Sequence, residues 1–396
     1  MRTATLLLAL FGIVGEPLLA QLKGTVRLQA GPFLPITVET GGAPGSDVIA
    51  EVELTFPPEL IRAQAANGSI QPQFRVVETD VEGTQLDAEV PFQFDLGHGR
   101  RKGTLLILVK ADSLRNNVRN YRVYSTAEPV NIAPLVKLED IGDYEGQETW
   151  KIITPSATYF YHHQSGGFAS LIDREGKDWI SYHPGNRDKG EFRGIPNIAP
   201  PGFHPGQPNG KKPGKIIFSG PIRVRLLAET EDDNWGTYWD IFPTYARMTL
   251  FKKGPEPYWI LYEGTPGGEF TVSDYWVNSA GTRFDSEPYV NKNAWHGDLP
   301  KPEWVYFADA ALQRVLFLAR HEYSPVIDEY WHFGDGGMTV FGFGRGPRAE
   351  GWQRLTDVPS HLTIGFVEST NHQDIAGIIQ STTQQLNVQV GPVRTQ

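Results

Sequence analysis

From residue 47 onward, apolar and polar side chains alternate. Val48, Ala50, Val52, Leu54 and Phe56 interleave with Glu51, Glu53 and Thr55. Val90, Phe92 and Phe94 interleave with Pro91, Gln93 and Asp95, and residues 105–109 and 121–124 are short apolar runs. A strand sends successive side chains to opposite faces, so this period of two predicts strands with one buried face. Beyond residue 150 strand patterns recur at 158–162, 168–172, 222–227, 247–251, 258–263, 303–307, 315–319 and 362–367. One segment has helical spacing instead. Asn371 stands as its N-cap with Asp374 three residues on, and Ile375, Ile378, Ile379, Thr382 and Leu386 follow on one face.

The pattern predicts an all-β protein in two parts. Residues 21–128 read as a small immunoglobulin-like β-sandwich, about a hundred residues of short strands between Gly, Asn and Pro clusters. Residues 129–149, rich in Pro, Asp, Glu and Gly, read as a linker, and residues 150–396 read as a large two-sheet sandwich. Composition shifts at the same place: all ten tryptophans and nine of the ten histidines lie at or after Trp150. No repeat of 20–50 residues is visible, which disfavours a propeller.

The first twenty residues follow a different rule. Arg2 precedes an apolar run from Ala4 to Val14, Gly15-Glu16-Pro17 breaks it, and Ala20 closes the stretch. This predicts a secretory signal peptide cleaved after Ala20 and a secreted or periplasmic protein. The run is too short to span a bilayer, which takes about 20 residues. The chain of 396 residues has no cysteine, so disulfides, a cysteine nucleophile and cysteine-ligated metals are excluded. A formal charge of −10 speaks against nucleic acid as partner.

The run Gly166-Gly167-Phe168-Ala169-Ser170-Leu171-Ile172-Asp173, followed by Gly176-Lys177-Asp178-Trp179, resembles the early hairpin of galactose-mutarotase-like β-supersandwiches. That superfamily includes sugar epimerases and domains of polysaccharide lyases and glycoside hydrolases. The resemblance implies that residues 150–370 form a carbohydrate-active supersandwich. The histidine-bearing signature of a true aldose epimerase is absent.

No nucleophile elbow, zincin motif, Walker loop or dinucleotide fingerprint is present. No cofactor is implied, although Glu231-Asp232-Asp233-Asn234 offers oxygen ligands for calcium. The segment from Pro184 to Lys215 stands out, with seven prolines and seven glycines in 32 residues. It reads as neither helix nor strand and carries a net charge of +4. A long cationic loop fits a cleft wall for an acidic polysaccharide or oligosaccharide. In it Arg193 and Asn197 are candidates to bind a uronate carboxylate, and His204 to move a proton.

Four further groups complete the candidate site. Tyr161 and His163 share a strand face, and Tyr–His pairs suit β-elimination. Tyr262 and Glu263 follow the aromatic pair Tyr258-Trp259. Trp239 and Trp331 suit a sugar platform, and His332 and Arg345 flank a glycine-rich turn. Elimination requires a neutralised carboxylate, a base and an acid. The expected assignment is Arg193 and Asn197 for the carboxylate, His204 or His163 as base, and Tyr161 or Tyr262 as acid. Trp239, Trp331, His332, Arg345 and Glu263 would hold the sugar. A polysaccharide lyase is the leading expectation. A glycoside hydrolase using two of Glu263, Asp240, Asp274 and Glu303, or a non-catalytic carbohydrate-binding protein, are the alternatives.

Overall fold

The computed structural model describes residues 31–42, 45–55, 74–97, 102–111, 117–126, 130–185, 190–286, 295–332, 337–346 and 354–395. The predicted signal peptide, Arg187, Asp188, Lys189 and the turn at Gly334–Gly336 lie outside these residues. The protein is all-β, and every strand pair among the described residues is antiparallel. No helix among them is long and apolar enough to cross a membrane.

Two nine-stranded sheets form the large sandwich. The first runs in spatial order Trp295–Gly297, Asp328–His332, Thr339–Phe343, Trp259–Gly264, Gly194–Ala199, Gly167–Asp173, Ala157–His162, Gln147–Ile153 and Lys137–Tyr144. The second runs Lys215–Ser219, Val224–Glu229, Gly236–Ile241, Tyr245–Lys252, Ser360–Val367, Val315–Arg320, Trp304–Asp309, Asp274–Asn278 and Arg283–Asp285. Their facing surfaces meet through aromatic rings. Phe168 meets Trp239 edge-on at 4.6 Å, Tyr262 lies 5.1 Å from Phe307, and Trp276 stacks on Tyr330 at 5.0 Å. Burying side chains of that size is the main source of the fold's stability.

The small sandwich pairs a three-stranded sheet (Val48–Thr55, Lys102–Val109, Phe92–Leu96) with a larger one built around Pro32–Glu39, Val118–Ser125 and Phe74–Thr79. The latter takes its outer strands from the far end of the chain: Asn387–Val390 and Arg394–Thr395 both pair with Pro32–Glu39. Residues 387–395 therefore belong to the small sandwich, not to the large one as their place in the sequence suggested.

The expected linker is largely structure. Lys137–Tyr144 and Gln147–Ile153 form a hairpin at the edge of the first large sheet, turning through Glu145 and Gly146, both at positive φ. Edge strands carry charge to discourage further pairing, so an acidic edge strand reads like a linker. The segment from Pro184 to Lys215 is also corrected. It contributes the central strand Gly194–Ala199, whose Ile195 and Ile198 are buried in the core. Its pairing with Trp259–Gly264 shifts between Gly194 and Asn197, where Pro196 has no N–H to give. The one α-helix, His372–Thr383, starts at its expected cap: the Asn371 Oδ1 accepts from the amides of Gln373 and Asp374. Leu386 lies beyond the helix and packs on the small sandwich core.

Candidate functional site

The first large sheet has one face between the sheets and one on its outer side, where the segment carrying His204 covers it and leaves Glu263 and His204 themselves buried. Along Trp259–Gly264 the side chains of Ile260 and Tyr262 point into the core, so Trp259, Leu261 and Glu263 share the outer face. Register extends this face across the sheet. One row is Asn197, Leu261, Gly342, Glu329 and His296, and the next is Gly194, Glu263, Val340 and Trp331. This face gathers residues of the first sheet with complementary chemistry.

Glu263 is its centre. Its Oε2 accepts from the Asn197 side-chain amide at 2.9 Å and lies 3.5 Å from the His204 Nε2. The same imidazole nitrogen is 3.1 Å from the Phe192 carbonyl, which accepts its proton. That contact leaves the His204 Nδ1 as the free lone pair of the ring, and it has no partner. Tyr182 stands edge-on to His204, 6.4 Å between rings. Burial, with Glu191 and Glu145 nearby, raises the Tyr182 pKa and keeps its hydroxyl protonated.

Two close approaches seat His204 over the sheet. A side chain at Gly194 would meet the Pro205 ring at 2.4 Å. Gly206 has φ +76, and a Cβ there would run into the Tyr182 hydroxyl. Beside this cluster the face turns aromatic and charged. Trp331 and Trp259 are half-buried, with the Arg354 guanidinium 4.0 Å and that of Arg345 5.9 Å from the Trp259 ring. Arg345 pairs with Glu329 at 3.3 Å, and His296 lies 3.7 Å from the same carboxylate.

Of the residues singled out from sequence, Asn197, His204, Glu263, Trp331 and Arg345 therefore share this face or close over it. Others go elsewhere. Tyr161 is fully buried between the sheets, where its hydroxyl meets no substrate. Tyr262 is likewise in the core and donates its hydroxyl to the Trp179 carbonyl at 2.6 Å. Trp239 is a core ring against Phe168 and cannot be a platform. His332 follows Trp331 on the strand, so it faces inward, fully buried, 5.7 Å from Phe270. His163 stacks on Trp150 at 3.9 Å, away from Glu263.

Arg193 is not an exposed loop cation. Its guanidinium donates to the carbonyls of Ser181 (3.2 Å) and Gly337 (2.5 Å), tying two segments together. The other carboxylates considered are structural too. Asp240 is buried in the fork of Arg225, at 2.6 and 2.7 Å, and Glu303 accepts from Arg320 at 2.9 Å. Asp274 is buried among Thr271 and Asp309, and burial raises its pKa to about 8. In the acidic turn Asp232 accepts from Thr230 and Asn234, and Asp233 pairs with Lys212, so those oxygens are taken. No group of three or more potential metal-ligating side chains occurs among the described residues.

Trp259 was noted from sequence only as part of an aromatic cluster, and Tyr182, Glu329 and Arg354 were not chosen as site residues. The alternation through Trp259, Leu261 and Glu263 already put the tryptophan on the face of Glu263. Nothing local in the sequence connects Tyr182 to His204.

No family model matches the chain, and no curated protein does. Solved structures that align weakly with the chain include a galactose mutarotase related enzyme from Lactobacillus acidophilus. It is 9% identical, with a TM-score of 0.40, and the match covers 57% of this chain and 99% of that one. The Slr1438 protein from Synechocystis is 10% identical at a TM-score of 0.35, over 61% of this chain and 100% of that one.

Proposed function

We propose that this is a carbohydrate-active protein that transfers a proton at a sugar bound on the outer face of the first large sheet, and that its reaction is β-elimination of a uronate-containing glycan. One observation carries the reading. Glu263 lies beside an imidazole and an amide, on a face that also presents tryptophan and arginine. Asp240 and Glu303 are neutralised by arginine, and Asp274 is buried away from it.

Each component has a role. Trp331 and Trp259 offer flat faces to sugar C–H surfaces. Arg345 meets the uronate carboxylate and draws charge off C5, which acidifies its proton. The Glu263–His204 pair accepts that proton. Tyr182, held protonated, gives its proton to the leaving oxygen. Asn197 holds the Glu263 carboxylate in register.

The test is incubation with a panel of uronate polymers, following absorbance of the unsaturated product. Glu263→Gln keeps the shape and removes the charge, and should lower turnover by about 10²–10⁴-fold. Turnover that is unaffected by Glu263→Gln, or a panel in which no glycan is bound or cleaved, would sink the proposal. Hydrolysis without an unsaturated product would keep the site and replace the reaction.

A further inference from the structure

We infer that His162 is a positioning residue that holds His204 over Glu263, an inference that rests on those two side chains being the working pair. His162 ends the strand Ala157–His162 and points to the outer face, opposite in sense to Tyr161. Its Nδ1 accepts the Gly206 amide at 3.1 Å. A nitrogen that accepts leaves the ring proton on Nε2, so the hydrogen bond selects one neutral tautomer. Gly206 is two residues from His204, and the intervening Pro205 packs against Gly194, the cross-strand partner of Glu263.

The Tyr182 ring completes the arrangement. It stands edge-on to His162 at 5.4 Å and to His204 at 6.4 Å. The short segment His204-Pro205-Gly206 is therefore fixed at both ends. The Phe192 carbonyl and Glu263 hold its imidazole, and His162 holds its last amide. Removing the acceptor at His162 frees one end, and the imidazole is then held only by its own contacts. The groups around His162 that carry or take up charge are His163 on the same strand, His204 on the clamped segment and Tyr182 beside both. Burial keeps His162 itself neutral near pH 7.

Two variants separate positioning from packing. His162→Phe keeps a flat ring and loses the acceptor; His162→Asn returns an acceptor oxygen close to the place of Nδ1. The measurements are the hydrogen-bonded His204 imidazole N–H signal and the Gly206 amide exchange rate, both by NMR on the full chain. His162→Phe should broaden or abolish the imidazole N–H signal and speed Gly206 exchange at least about tenfold, a loss of roughly 1.4 kcal/mol of protection. His162→Asn should restore both toward wild type. An unchanged His204 signal and Gly206 exchange in His162→Phe overturns the inference, as does failure of His162→Asn to differ from it. If His162→Phe does not fold, the wild-type protein is acidified below pH 4. Gly206 protection that persists there, while His162 takes up its proton, overturns the inference equally. Should His204 follow His162 while Glu263→Gln leaves every glycan assay unmoved, the positioning stands and the functional proposal falls.

Discussion

His162 also makes a prediction about stability. Burial lowers its pKa from the ordinary 6.5 to about 4. In the unfolded chain the imidazole takes its proton near pH 6.5, and in the folded chain only near 4. Between those values the unfolded state binds more protons, so acid favours unfolding. Stability from this residue is complete above pH 6.5 and is lost as pH falls to 4, on the order of 3 kcal/mol in all. Asparagine does not titrate. The difference in unfolding free energy between wild type and His162→Asn should shrink over that range in denaturant titrations. A constant difference would mean that the imidazole is not held neutral. At Tyr161 the expected sign is opposite. Its hydroxyl is buried without a partner, so Tyr161→Phe removes an unpaid desolvation cost and should raise stability by about 1 kcal/mol. A thermal midpoint that drops in Tyr161→Phe would show that the hydroxyl does have a partner.

At the scale of elements, the strand Gly194–Ala199 is the part most exposed to small changes. Gly194 lies opposite Glu263, and Pro205 leaves no room above it. Gly194→Ala forces the Pro205 segment off the sheet, at an expected cost of about 1–3 kcal/mol. Denaturant unfolding should show that loss, and under the proposed function turnover should fall as His204 is displaced. A variant as stable as wild type would mean the segment yields without strain. The same strand explains what sequence could and could not reveal. Strands whose burial alternates, such as Ala157–His162 and Val224–Glu229, were legible because burial on one face imposes the pattern. Gly194–Ala199 was hidden because Pro196 and the flanking prolines carry loop statistics, while its burial is imposed by neighbours far along the chain. Lys137–Tyr144 was hidden for another reason: an edge strand exposed along most of its length need not alternate. At the site, Asn197, His204 and Glu263 were recognisable by residue type. That Tyr161, Tyr262 and Trp239 belong to the core depends on which sheet face each one takes, and Tyr182 meets His204 only through the path of the chain between strands.

Across the whole molecule, the two sandwiches are joined by more than the chain passing between them. Ile49, Leu106 and Leu108 of the small one pack on Ile222, Phe242 and Tyr245 of the large one. Beside them Arg223, fully buried, pairs with Asp95 and with Glu51 at 3.1 Å, and Arg247 pairs with Glu51 as well. The Gln93 side chain accepts the amides of Ile222 and Arg223, as a neighbouring strand would. Cleavage at a protease site engineered between Thr126 and Val130 should therefore leave two pieces that co-elute on size exclusion, held by this interface and by the pairing of Asn387–Val390 and Arg394–Thr395 with Pro32–Glu39. Arg223→Ala strands the Asp95 charge, while Asp240 keeps Arg225, and should lower the unfolding free energy by about 3–5 kcal/mol in denaturant titrations. Pieces that separate would show that the interface and the strand pairing together are too weak to hold them. One further property follows from the pairing of Asn387–Val390 with Pro32–Glu39. Asn387 and Glu39, whose side chains are hydrogen-bonded, lie 348 residues apart in the chain. During synthesis Pro32–Glu39 leaves the ribosome early with one edge bare, and its neighbour is made only after the whole large sandwich. The small sandwich is thus begun before the large one and completed after it. Contacts of such long range are slow to form, and a chain halted before residue 387 is left with an open strand edge, a ready seed for aggregation.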